Sequence, residues 1–187
     1  CPCVWAKPQS LTHQPIMTTN QPTSSVTAQP QLSHVTADGD IHMVDVSAKT
    51  ITTRQARATG TVSFDQTVYV QLKACAGVTK KGSITQTAHI AGIMAAKKTS
   101  ELIPLCHAIA LTGIDMQFTY DDAHAAITVN ATVRASDQTG VEMEALTAVS
   151  VACLTLYDMT KALSHDITIG DIKLISKTGG KSDYVSH

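Results

Sequence analysis

Glutamate is almost absent from this sequence: Glu101, Glu142 and Glu144 are the only three in 187 residues. Two of them nevertheless stand one residue apart. No run of 18 apolar residues occurs, which excludes a membrane-spanning helix. Residues 1–33 also lack the charged start and compact apolar stretch of a signal peptide. The net charge of −1 excludes a general electrostatic hold on nucleic acid, although local basic clusters can still bind phosphate. The five cysteines form no CxxC pair. Isolated Cys75, Cys106 and Cys153 fit reduced thiols in a cytoplasmic compartment rather than a disulfide framework or a thiolate metal site.

Proline is scarce outside the first 33 residues, where five of the six occur (Pro2, Pro8, Pro15, Pro22, Pro30). That segment carries one charged residue, Lys7, amid Gln, Thr and Ser. It is expected to be a disordered tail, because it has too little apolar surface to offset ordering its backbone. Since the chain opens on Cys1 rather than methionine, a processed, truncated or tagged product is expected, with Met17 a candidate start. Residues 34–187 form a single domain, long enough to bury about 70% of the surface its unfolded chain would expose.

Within this domain 42–46 (HMVDV) and 56–64 alternate as strands do, and Asp65 is placed to cap a helix reaching about Ala74, ended by Gly77. Ser83–Lys98 reads as a second helix whose face is rich in small residues, which permits close packing. Beyond Pro104, residues 114–120 and 127–133 alternate about an Asp121–Asp122 turn and predict a hairpin. A long helix follows, and 167–175 supplies a last strand. The order β, α, α, β, β, α, β predicts an α+β sandwich, with helices on one face of a largely antiparallel sheet.

The long helix organises the rest. From Ala145 to Leu163 it contains neither Gly nor Pro, and Leu146, Val149, Ala152, Cys153, Leu156, Met159 and Leu163 recur at helical steps. Val151, Leu154 and Tyr157 fall outside that stripe. A helix apolar on more than one side is expected to cross the sheet and also touch a second subunit. Asp158 and Lys161, at i and i+3, are either a weak surface ion pair or a proton-transfer pair. Just upstream, an extended VEME would put Glu142 and Glu144 on one side and Val141 and Met143 on the other, with cations expected opposite the carboxylates. Adjacent Cys106 and His107 suit a loop that hydrogen-bonds a polar ligand better than a nucleophile pair or a zinc site. Lys80, Lys81, Lys97 and Lys98 read singly as solvated charge. With Arg54, Lys177 and Lys181 they are a candidate phosphate-binding set, and Gly179–Gly180 would give a loop freedom to close.

The stretches LIPLCH (102–107), GVEMEALTA (140–148), LYDMTKA (156–162) and KTGGKS (177–182), with HMVDVSAK (42–49) and HIAGIMAAKKT (89–99), resemble the cyclic pyranopterin monophosphate synthase family, molybdenum-cofactor biosynthesis protein C. The resemblance implies a ferredoxin-like subunit in a homohexamer, a trimer of dimers with its active site at a dimer interface. It implies a lyase that converts 3′,8-cyclo-7,8-dihydroguanosine 5′-triphosphate to cyclic pyranopterin monophosphate and pyrophosphate. Carried over by motif, the catalytic residues fall on Asp158 and Lys161. Substrate contacts fall on Leu105, Cys106, His107, Glu142, Met143, Glu144, Lys81, Lys97, Lys177 and Arg54. Two departures stand out: Ala108 where the family commonly has proline, and Asp183 where it often has glycine.

That chemistry accounts for the residue types. Opening an imidazole ring and moving protons between nitrogen and carbon needs a poised acid–base pair, and lysines can hold a pyrophosphate leaving group as its charge develops. No cofactor is required, and Mg2+ accompanying the triphosphate is compatible with the scheme. Rival readings are a non-catalytic nucleotide- or pterin-binding regulatory module and a structural assembly subunit. A proton-transfer pair beside the ligand would separate the enzyme from both.

Overall fold

The computed structural model describes residues 34–36, 38–80 and 82–186. The expected tail over 1–33, and Lys81, lie outside the described residues. The chain runs β1 (Thr52–Ser63), α1 (Gln66–Ala74), β2 (Val78–Thr79), β3 (Gly82–Ser83), α2 (Ile84–Lys97), α3 (Thr99–Leu102), β4 (Leu111–Asp121), β5 (Ala126–Asp137), α4 (Glu142–Thr160), β6 (Thr168–Thr178) and β7 (Tyr184–Val185). One antiparallel sheet has the order β4-β5-β1-β6-β7. Its four long strands with α2 and α4 make the split βαββαβ arrangement of ferredoxin-like folds.

Alternation in the strands sets the layers. Ala56, Ala58 and Val62 of β1 and Ile127, Val129, Ala131 and Val133 of β5 are buried. The register pairs Ala58 with Ala131 and Val62 with Ile127, so the two rows line one face of the sheet. That face is covered by α2 and α4. The alternate positions, Thr59 and Thr61 opposite Asn130 and Thr128, build a polar second face.

Each helix begins and ends where local chemistry dictates. Asp65 accepts the Thr67 N–H at 2.8 Å and opens α1. It closes with Gly77 N–H donating to the Leu72 carbonyl and Ala76 N–H to that of Lys73. Such a closure requires left-handed backbone, and both Ala76 (φ 50°) and Gly77 (φ 65°) adopt it. Ser83 caps α2 through the Gln86 N–H. The small face of α2 does allow close packing: a Cβ on Gly92 would stand 3.0 Å from the Ala148 carbonyl oxygen of α4. Pro104 follows the end of α3 by two residues.

Three expectations are corrected. Residues 42–46 are not a strand: Val44 and Val46 do turn inward, but among the described residues the segment lacks ladder partners, and only Val35–Ile41 forms a bridge nearby. VEME is not extended, because α4 starts at Glu142 rather than Ala145, as the helix dipole favours carboxylates in a first turn. Glu142 and Glu144 therefore project in different directions, about 200° apart around the axis. The helix also ends at Thr160 rather than Leu163. As expected, α4 crosses the sheet, against β1, β5 and β6, and Leu154 on its far side is 58% exposed.

Candidate active site

Two clefts meet at the end of the sheet where β1 begins, β6 finishes and α4 starts. The first, about 360 Å³, lies among Leu105, Cys106 and His107 on the loop after α3, Met143 and Glu144 on α4, and Val44 and Val46 on the 42–49 segment. The second, about 180 Å³, is basic, with Arg54, Lys177, Lys181 and Lys49 around it. Lys49, Thr139, Gly140 and Glu142 line both.

In the first cleft Glu144 is only 3% exposed, and its pKa is pushed up to about 7. Desolvation by burial is the main cause, and the nearby charges of Glu142 and Asp137 add to it. Burial, and then the charge of Glu144, also raises the Cys106 thiol. Cys106 thus remains a neutral thiol at ordinary pH, unsuited to nucleophilic attack. His107 Nε2 donates to the Val44 carbonyl at 2.8 Å, which leaves Nδ1 as the ring nitrogen open to a ligand.

The second cleft is shaped by backbone as much as by charge. Arg54 Nε and Nη2 donate to the carbonyls of Asp137 and Gln138, so this largely buried guanidinium braces the β5–α4 turn while lining the cleft. Lys177 pairs with Glu142 at 2.9 Å. Gly140 permits that pairing, since a Cβ there would collide with the Glu142 carboxylate. Gly179 (φ 83°) lies so close to the Thr53 carbonyl that no side chain fits. Its carbonyl accepts from Thr52 Oγ1, and its N–H donates to the Asp183 carboxylate at 3.1 Å. The departure at Asp183 consequently fastens the loop.

The structure brings together Leu105, Cys106, His107, Glu142, Met143, Glu144, Lys177 and Arg54. Lys97 closes α2 and lines neither cleft. Asp158 and Lys161 form an ion pair at 2.7 Å, about half exposed. Asp158 sits 16 residues beyond Glu142 on α4, and Lys161 just past the helix end, which places Asp158 roughly 24 Å from Glu142 at helical rise. Within one chain they do not meet the clefts. Lys49, Gln138 and Thr139 were missed as cleft residues. Lys49 stands at the end of the HMVDVSAK stretch, three residues beyond the 42–46 alternation that read as a strand.

Comparison with known proteins extends these observations. A Drosophila melanogaster protein named "Molybdenum cofactor biosynthesis protein 1" is 54% identical over 154 residues, which is 82% of this chain but 27% of that protein's length. Proteins named "Cyclic pyranopterin monophosphate synthase" are 52% identical in Parvibaculum lavamentivorans, over 84% of this chain and 98% of theirs, and 48% identical in Heliobacterium modesticaldum, over 82% and 95%. The MoaC family profile matches residues 43–180, which span both clefts except His34 and Lys181, together with the Asp158–Lys161 pair, and the chain belongs to the MoaC family.

Proposed function

We propose that this chain is a lyase of molybdenum-cofactor biosynthesis, converting 3′,8-cyclo-7,8-dihydroguanosine 5′-triphosphate to cyclic pyranopterin monophosphate with release of pyrophosphate. The observation that carries it is the pairing of a small cleft holding a desolvated carboxylate with a basic cleft beside it, in a chain about half identical to proteins named for that synthesis. The basic cleft suits the phosphate chain. Arg54, Lys177 and Lys181 supply cationic donors there, and binding energy gained on the phosphates can orient the heterocycle next door.

In the first cleft Glu144 is destabilised as an anion until a donor reaches it. The exocyclic amino group of a guanine-derived ring supplies such donors, and His107 Nδ1 is open to a further contact. Asp158 and Lys161 exchange the protons: Asp158 accepts and Lys161 returns them, as their contact keeps both charged until substrate intervenes. Because one chain holds this pair far from its clefts, a second copy supplies it, in a homohexamer built as a trimer of dimers. No protein-held cofactor is required, and Mg2+ enters with the triphosphate as part of the substrate. None of the described helices is long and apolar enough to cross a membrane, and free Cys75, Cys106 and Cys153 suit the reducing cytoplasm.

Incubation of the purified protein with the cyclised nucleotide tests the reading. Pyrophosphate and the pyranopterin product should appear together in equal amounts. Tight binding with no turnover would replace the lyase by a regulatory nucleotide- or pterin-binding module.

A further inference from the structure

Residues 42–49 cross the mouth of the first cleft without belonging to the sheet. Their backbone is tied to the body at two points: His107 Nε2 donates to the Val44 carbonyl at 2.8 Å, and Gln138 Nε2 donates to the Ser47 carbonyl at 3.2 Å. Val44 and Val46 are turned inward and line the cleft, whereas Met43, Asp45 and Ser47 face out. A short turn, Lys49 N–H to the Val46 carbonyl at 2.9 Å, then brings Lys49 to the junction of the clefts. Lys49 is the one cation among the described residues that lines both of them. Lys177, by contrast, is engaged by Glu142. Among the described residues the Lys49 ammonium has no carboxylate partner. A cation without a partner, at the border of a cleft for a heterocycle and a cleft for phosphates, faces the place where a nucleotide's first phosphates would pass.

We propose that Lys49 is a phosphate-contacting residue of this site, presented by residues 42–49 as a strap that His107 and Gln138 hold across the cleft. The inference rests on the reading of the clefts as a nucleotide triphosphate site. Gln138 acts through the strap as a positioning residue. Its tie sets where Lys49 stands, and cutting it lets the strap move without removing any charge.

Inorganic pyrophosphate is the probe, titrated calorimetrically into the full-length protein. Lys49→Ala should weaken binding about ten- to a hundredfold, the loss expected for a hydrogen bond to a charged group, and the deficit should shrink at high salt. Lys49→Arg should recover most of the affinity, and the melting temperature should not change. Gln138→Ala should bind less tightly than the parent and show faster amide exchange over 42–49. The double variant Gln138→Ala/Lys49→Ala should be no weaker than Lys49→Ala alone, since both changes act on one contact. Lys177→Ala serves as the control for the cleft itself. If it weakens binding while Lys49→Ala does not, the assignment of Lys49 is overturned and the nucleotide reading stands. If neither weakens it, both fall. Independent, additive losses from Gln138 and Lys49 would overturn the role of the strap.

Discussion

Glu144 shows what a single buried group costs and what it offers. A carboxyl ordinarily near 4.5 is held at about 7, so between those values the folded chain keeps a proton that the unfolded chain has given up. Stability contributed by this group is full below about pH 4.5 and is lost as pH rises to 7, by about 3 kcal/mol as an order of magnitude. Glu144→Gln has no such proton to lose. Its stability relative to the parent should therefore improve from pH 5 to pH 8 in paired denaturant titrations, and a constant difference would show that Glu144 is not desolvated. A second residue is strained for no chemical purpose. Ala76 takes the left-handed position that ends α1, where a Cβ costs roughly 1 kcal/mol. Ala76→Gly should raise the melting temperature by about 2–4 °C at fixed protein concentration, and a fall would mean that Gly77 alone relieves the turn. The acidic pair was conspicuous in the sequence because glutamate is so rare. Its geometry was not, because two carboxylates one residue apart read equally well on a strand or in a helix's first turn.

At the scale of elements, periodicity was legible wherever one face meets a core. The hairpin of β4 and β5, the cap at Asp65 and the small face of α2 were all readable, because each follows from contacts within a few residues or from a regular repeat. The segment 42–46 misled for a physical reason. Val44 and Val46 alternate with exposed neighbours because one side covers a cleft, and alternation reports a two-sided environment whether or not a neighbouring strand provides the hydrogen bonds. The hairpin of β2 and β3 and the two-residue β7 are too short to carry any period. The closeness of α2 to α4 makes a sharper test. Gly92 faces the Ala148 carbonyl and the Met116 side chain. Gly92→Val must push the helices apart, at a cost of about 1–3 kcal/mol, and because α4 carries Glu142 and Glu144 at its start, catalysis should decline with stability. Unchanged thermal unfolding would show that the helices are less closely coupled than their spacing implies.

The whole molecule sets the hardest condition on the mechanism, since α4 carries Glu142 and Glu144 in its first turn and Asp158 in its last, with most of the helix between them. The motifs made all of these residues visible in the sequence. The distance separating them was not, because a motif names residues without saying which copy of the chain they serve. If two copies complete each site, Asp158→Asn removes the base from one half and Lys177→Ala weakens phosphate binding in the other. Asp158→Asn alone should lower turnover by about 10²–10⁴-fold with the fold intact, because the amide keeps the shape and cannot take a proton. Lys177→Ala alone should raise KM in a salt-dependent way. Unfolding the two variants together in equal amounts and refolding them shuffles the subunits. In a randomly mixed closed oligomer, about a quarter of the sites then receive an intact half from each variant, so activity should climb well above that of either variant alone. Mixing without refolding should leave it low, and sedimentation should find no active monomer. If the shuffled mixture never exceeds the average of its two parents, Asp158 acts within its own chain, and the helix would have to bend or the clefts would have to lie elsewhere.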